Sequence, residues 1–399
     1  MSRQSLPGAR RLRLAVRMAG RDPEDEHRTA TPLELFFDLV YVVAVALAAE
    51  RLHHALADGI VGASIFRYSV LFFALWWGWV NFTWFVSAYD SDDVVFRIFV
   101  FVTMTGALIF AAGVPRIFDE LDFRIGVLGY VVMRLALVTQ WIRVGRADSL
   151  RRTTAHRFAI GVTACQIGWI VAVAVPDLWW PAFAVLAPTE MLVPVWAEAA
   201  SPTTWHREHI SERYGLFMII VLGESVLAAS LAIQSATSDA GLTSELVTII
   251  VGGLLILFSM WWLYFDRPQE QLLSSTRTAF IWSYMHLPIF AAAAAVGAGL
   301  AVAIEGVAGH SQLGSRGTAA AIGVPVAVYL LSLWALYIRA AHSPIAMFSV
   351  PATAMLVLAA PFTGAPVLVV GILLAALVAL KVGVRLRSEE EITASPGRG

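Results

Sequence analysis

The chain has 399 residues, 58% of them hydrophobic and only 14% charged, with a formal net charge of -1 and a mean hydropathy of +0.72. A soluble domain keeps about a quarter of its residues charged, and a near-neutral chain has no global field to draw in nucleic acid. A soluble globular protein and a nucleic-acid binder are thereby excluded, and the lone Cys165 excludes an internal disulfide.

The first thirty residues carry Arg3, Arg10, Arg11, Arg13 and Arg17 without an apolar core, so they read as a cytosolic tail and not as a cleaved signal peptide. A helix crossing about 30 Å of hydrocarbon needs about 20 residues, with its backbone groups satisfied internally. Twelve segments reach that length, near 33–56, 66–88, 95–114, 123–143, 157–175, 179–198, 213–234, 244–265, 279–303, 319–340, 344–362 and 365–386. The sixth and eleventh are interrupted by proline, at Pro181, Pro188 and Pro194 in one and at Pro344, Pro351 and Pro361 in the other. The expected fold class is therefore all-α, a polytopic transmembrane helical bundle of about 12 spans.

The first span opens with Thr31-Pro32-Leu33-Glu34, a capping-box pattern with proline at the first turn. Glu34 and Asp38 share one face at i, i+4, where they either complement the helix dipole or hold a proton or cation. Trp76, Trp77, Trp79 and Trp84 in the second span suit interfacial anchoring, the first two also lying deep enough to pack between helices. Asp90, Asp92 and Asp93 precede the third span, with Asp93 a candidate N-cap paired to Arg97. Calcium loops need further ligands and a turn glycine, both missing here.

An intramembrane charge costs about 2.5–3.5 kcal/mol on insertion scales, which makes each one a functional candidate with a partner expected nearby. Arg134 lies near the middle of the fourth span, and Glu190 and Glu224 are its candidate partners in the sixth and seventh. Pro188 and Pro194 bracket Glu190, as in the discontinuous helices of transporters, where freed carbonyls beside an acid coordinate a cation. An ion pair that only fixes helix register is the alternative. His206, His209 and Glu212 recur every three residues in HREHISER, but the H-E-x-x-H pattern is absent, and no metal or cofactor is expected. Asp266 ends the eighth span, and His286 is a lone histidine of the ninth, either a hydrogen-bonded core residue or a proton-relay member.

Arginine clusters in the N-terminal tail, between 143 and 157, and beyond 381 fall on one side of a twelve-span chain, which places both termini in the cytoplasm. ELFFDLVYVVAVALAAE and ERYGLFMIIVLGESVLAAS each carry carboxylates twelve residues apart, and a tryptophan pair followed by an aspartate recurs in WWGWVNFTWFVSAYD and MWWLYFD. The chain then divides into a tail at 1–30, six-helix halves at 31–200 and 201–387, and a disordered tail at 388–399. Two readings of the echo stay open: a parallel repeat, or chance similarity among apolar segments built from few residue types.

TPLELFFDLVYVVAVA, YDSDD, HISERYGLFMIIVLGES, WWLYFD and YMHLPIF, in this order from Pro32 to about Gly299, resemble the bacterial low temperature requirement protein A (LtrA) family. The resemblance implies a multi-pass protein of the bacterial cytoplasmic membrane and attaches importance to Glu34, Asp38, Asp90, Asp93, His209, Glu212, Arg213, Tyr214, Gly215, Glu224, Asp266 and His286. It implies no biochemical activity. Phe36-Phe37-Asp38 also resembles the F-S-D motif of potassium channels built from two six-helix repeats, although the second half has no such triplet.

Three functions remain. The first is a transporter or channel for a small solute or ion, using Glu34, Asp38, Arg134, Glu190, Glu224 and His286. The second is an enzyme acting on lipid through His206, His209 and Glu212 at the cytoplasmic surface. The third is an accessory protein whose buried charges only lock helices. With no phosphate-binding glycine loop and no nucleophile beside an evident base, the first is preferred. The lipid bilayer is the expected environment.

Overall fold

In the computed structural model, which describes residues 13–22, 28–337 and 344–394, every regular element is helical and no strand occurs among the described residues. The first six helices are α1 (Pro32–Ala57), α2 (Val61–Tyr89), α3 (Val94–Glu120), α4 (Arg124–Ala147), α5 (Arg152–Ala174) and α6 (Trp179–Glu198). The rest are α7 (Arg207–Ala240), α8 (Ser244–Phe265), α9 (Thr276–Val307), α10 (Ser315–Tyr337), α11 (Pro344–Ala359) and α12 (Pro366–Ala394).

Ten of these helices are long and apolar enough to cross a membrane; α6 and α11 are the two that are not. The 16 residues of α11 rise only about 24 Å, short of the hydrocarbon thickness. Despite Pro188 and Pro194, α6 runs as a continuous helix, unlike the broken span its prolines suggest. Helix α12 continues to Ala394, through residues the sequence assigns to a disordered tail, and 395–399 lie outside the described residues.

The chain forms two compact units, one of residues 1–41 and 77–213 and the other of 42–76 and 214–399. The division falls inside α1 after Tyr41, inside α2 after Trp76 and inside α7 after Arg213.

In the first unit α3 packs on α4, α4 on α5 and α5 on α6. The α3–α4 pair meets through small residues: a Cβ on Gly129 would lie 2.3 Å from the Phe110 backbone nitrogen, so only glycine allows this approach. Residues 13–22 dock beside the α2–α3 junction, with Val94 and Val95 donating to the carbonyls of Arg13 and Leu14 and with Met18 buried. Arg28 donates to the Val86 and Ser87 carbonyls near the end of α2, where a cation also suits the helix dipole. Part of the expected tail is therefore bound structure, while Arg3, Arg10 and Arg11 fall outside the described residues.

Asp93 is the N-cap of α3, accepting from Phe96 N at 2.6 Å. Its ion-pair partner is Arg143 of α4 at 2.7 Å, whereas Arg97 pairs with Asp92 at 2.8 Å, correcting the expected Asp93–Arg97 pair. Burial raises the Asp93 pKa, but hydrogen bonds from Phe96, Val16 and Arg143 outweigh it and hold the carboxyl below its ordinary range. Asp90 moves the other way, raised by desolvation that the nearby Arg21 only partly offsets.

In the second unit α9 packs against α8 and α10, and α8 against α12. The run Ala291-Ala292-Ala293-Ala294-Ala295-Val296-Gly297 is nearly all buried, because small side chains let neighbouring helices approach from several sides. Trp76 is fully buried here, and Trp77 equally so in the first unit, so both pack between helices; Trp261 and Trp262 are half-exposed, as interfacial anchors require.

Candidate functional site

Two helical i, i+4 pairs build the most highly charged centre of the first unit. Glu34 and Asp38 project from the opening turns of α1, and His209 and Arg213 from those of α7. Arg213 forks onto Asp38, with Nε 3.1 Å from Oδ2 and Nη2 2.5 Å from Oδ1, while Nη1 reaches Glu34 Oε2 at 2.9 Å. His209 Nε2 lies 2.7 Å from the same Glu34 oxygen, and Trp79 Nε1 donates to Asp38 Oδ1 at 2.7 Å. Arg28 adds a second guanidinium 3.9 Å from Glu34 Oε1.

All of these side chains are buried. A carboxylate only accepts, so the His209–Glu34 contact puts an imidazole proton on Nε2, while Nδ1 has no hydrogen-bond partner among the described residues. Two carboxylates face two guanidiniums, a balanced set that removes most of the cost of burying each charge alone. Thr31 accepts from Glu34 N at 3.3 Å, but the Glu34 carboxylate turns to His209 and Arg213 and does not complete the capping box.

A second centre surrounds Glu190. Its Oε2 accepts from the Tyr130 hydroxyl and lies 3.6 Å from Arg134 Nη2; its Oε1 accepts from Gln166 Nε2 at 2.9 Å and Trp169 Nε1 at 3.2 Å. The Arg134 guanidinium sits over the Tyr130 ring, 5.6 Å from its centroid. Of the two carboxylates proposed from sequence, Glu190 is the one that pairs with Arg134. Glu190 is held by side chains of α4 and α5. Arg134 Nε and Nη1 and Gln166 Oε1 find no partner among the described residues. Sequence reasoning missed Tyr130, Gln166 and Trp169; the signal was their helical spacing, Tyr130 one turn before Arg134 and Gln166 one turn before Trp169.

Glu224 lies in the second unit, where it lines a cavity of about 600 Å³ bounded by α1, α7 and α9. Its wall is mostly Val, Leu and Ala, interrupted by Glu50, His53, His54, Glu224 and Glu305, with no Lys or Arg among the lining residues. His53 Nε2 is 3.0 Å from Glu305 Oε2, and His54 Nε2 is 3.7 Å from Glu50 Oε1. Glu50 and the two histidines end α1 at a spacing that puts them on adjoining faces, a pattern legible in the sequence once α9 is known to face it.

The remaining candidates separate. His286 is buried, with Nδ1 2.7 Å from the Trp282 carbonyl and its ring edge-on to Tyr214, whose hydroxyl meets Ser283 Oγ at 2.5 Å. Gly215 admits the Phe265 ring, 3.1 Å from where a Cβ would stand. Asp266 caps α8 and lies 3.6 Å from Lys381 Nζ. His206, His209 and Glu212 do not converge: His209 turns to Glu34 and Glu212 accepts from Ala30 N at 3.1 Å.

Comparison with known proteins places this architecture. The family model described as bacterial low temperature requirement A protein matches residues 29–383. An uncharacterized protein of Rhizobium meliloti (strain 1021) is 28% identical over 284 residues, covering 66% of this chain and 67% of that protein. The family match extends past Gly299, where the motifs thin out, to residue 383. The chain belongs to the bacterial low temperature requirement A family, as a multi-pass membrane protein.

Proposed function

We propose that this protein moves a small solute or ion across the bacterial cytoplasmic membrane, with both termini in the cytoplasm, and that the cavity lined by Glu224 receives it. One observation carries the reading: a cavity of about 600 Å³ bounded by three helices of membrane-spanning length holds Glu50, Glu224 and Glu305 in its wall, with two histidines and no Lys or Arg. Carboxylates at membrane depth mark ion and substrate pathways, and an acidic, otherwise apolar chamber favours a cation.

The ion-paired Glu34–Asp38–Arg213 centre supports a division of labour, in which charges of the first unit lock helices and those of the second meet the solute. A buried cluster whose charges already face opposite charges is a poor ligand site, because a solute would have to displace existing partners. The lipid-enzyme reading loses its support, since His209 and Glu212 are occupied by Glu34 and Ala30.

Flux of monovalent cations, divalent cations and neutral osmolytes into vesicles containing the purified protein tests this function. Glu224→Gln is expected to reduce the flux of the transported species at least tenfold while folded yield is kept. Equal flux through Glu224→Gln, or no flux above empty vesicles for the whole panel, overturns it.

A further inference from the structure

We propose that His53, His54 and Glu305 bind a single divalent transition-metal ion in the wall of the Glu224 cavity. Each offers one ligand atom, and the three atoms lie within 4.8 Å of one another. Tetrahedral bonds of about 2.0–2.1 Å separate ligand atoms by roughly 3.3 Å. The 3.0 Å between His53 Nε2 and Glu305 Oε2 is already in that range.

His53 Nε2 meets Glu305 Oε2 at 3.0 Å and has no hydrogen-bond partner of good geometry among the described residues. A nitrogen and a carboxylate oxygen facing each other in this way suit a cation held between them. The two imidazoles are stacked 4.7 Å apart at the end of α1, so both rings lie on one side of the helix, while Glu305 comes from α9 within the same unit.

Donor chemistry selects the ion. Two imidazoles with one carboxylate suit zinc and its neighbours, whereas magnesium and calcium take all-oxygen sets. Glu50, next to His54, completes or orients the ligand set, and three protein ligands beside a cavity leave a position open for water or a further ligand. The lining carboxylates, with no opposing Lys or Arg, raise the local concentration of cations. This inference stands apart from transport: a chain that moves nothing across a bilayer would still bind the ion.

The full chain, purified in detergent through a histidine-free tag, is stripped with a chelator, incubated with zinc chloride, separated from excess metal and assayed by elemental mass spectrometry. One zinc per chain is expected, and cobalt substitution should give the visible absorption of a four-coordinate site. His53→Ala and Glu305→Gln should each weaken zinc binding by at least about tenfold, while His156→Ala, outside the cluster, should leave it unchanged. Should His53→Ala fail to fold, the nearly isosteric Glu305→Gln and the cobalt spectrum of the unaltered chain decide the matter. A folded chain that retains no zinc, or zinc held equally well by both cluster variants, overturns the proposal.

Discussion

Arg213→Ala probes the charge centre where α1 meets α7. The guanidinium makes three contacts of 2.5–3.1 Å to Asp38 and Glu34, and all three groups are buried. Removing it leaves Asp38 with only the Trp79 donor and Glu34 with His209 and a more distant Arg28. Breaking a buried pair by deleting one partner costs about 3–5 kcal/mol, because the surviving charge stays desolvated without compensation. At roughly 2–4 °C per kcal/mol for a unit of this size, thermal unfolding should fall by about 10 °C. Arg213→Lys should recover only part of the loss, since an ammonium cannot reproduce the fork onto Asp38. The assay is intrinsic tryptophan fluorescence on heating in detergent, with an Asp38→Ala, Arg213→Ala double-mutant cycle to isolate the pair. An Arg213→Ala melt within about 1 °C of the unaltered chain, or strictly additive single and double losses, would show that the pair does not stabilise the unit.

Glu190→Gln should destabilise the first unit by leaving Arg134 buried opposite a neutral amide. Combining it with Arg134→Met should recover much of the loss, because a neutral pair avoids desolvating a charge; the same melts check this, and a double variant no better than Glu190→Gln counts against it. Asp93→Ala should cost about 0.5–2 kcal/mol through loss of the α3 cap, and somewhat more if Arg143 is left unpaired. Hydrogen bonds from Phe96, Val16 and Arg143 hold the Asp93 carboxyl below the ordinary aspartate range in the folded chain. Its contribution is thus fully present above about pH 4 and lost as pH falls through the lower folded value. The melting gap between Asp93→Ala and the unaltered chain should be constant from pH 7 to 5 and close only below about pH 4; a gap that closes near neutrality would contradict it.

Helical architecture and membrane residence follow from the sequence alone, because span length and hydropathy are local properties of consecutive residues. The Asp93 cap is equally local, as was the expectation that Arg134 needs a carboxylate. Partner choice is different. Glu34 and Arg213 are 179 residues apart, and nothing in the spacing of either helix shows that they meet. The same holds for Arg143, which takes Asp93 from its helical neighbour Arg97, and for Glu305, which faces His53 only because α9 packs beside the end of α1. A buried charge makes pairing obligatory without naming the partner, so only tertiary packing selects among the carboxylates. That selection gave Glu190 to Arg134, closed Asp38 around Arg213, and put Glu224 in the wall of a cavity.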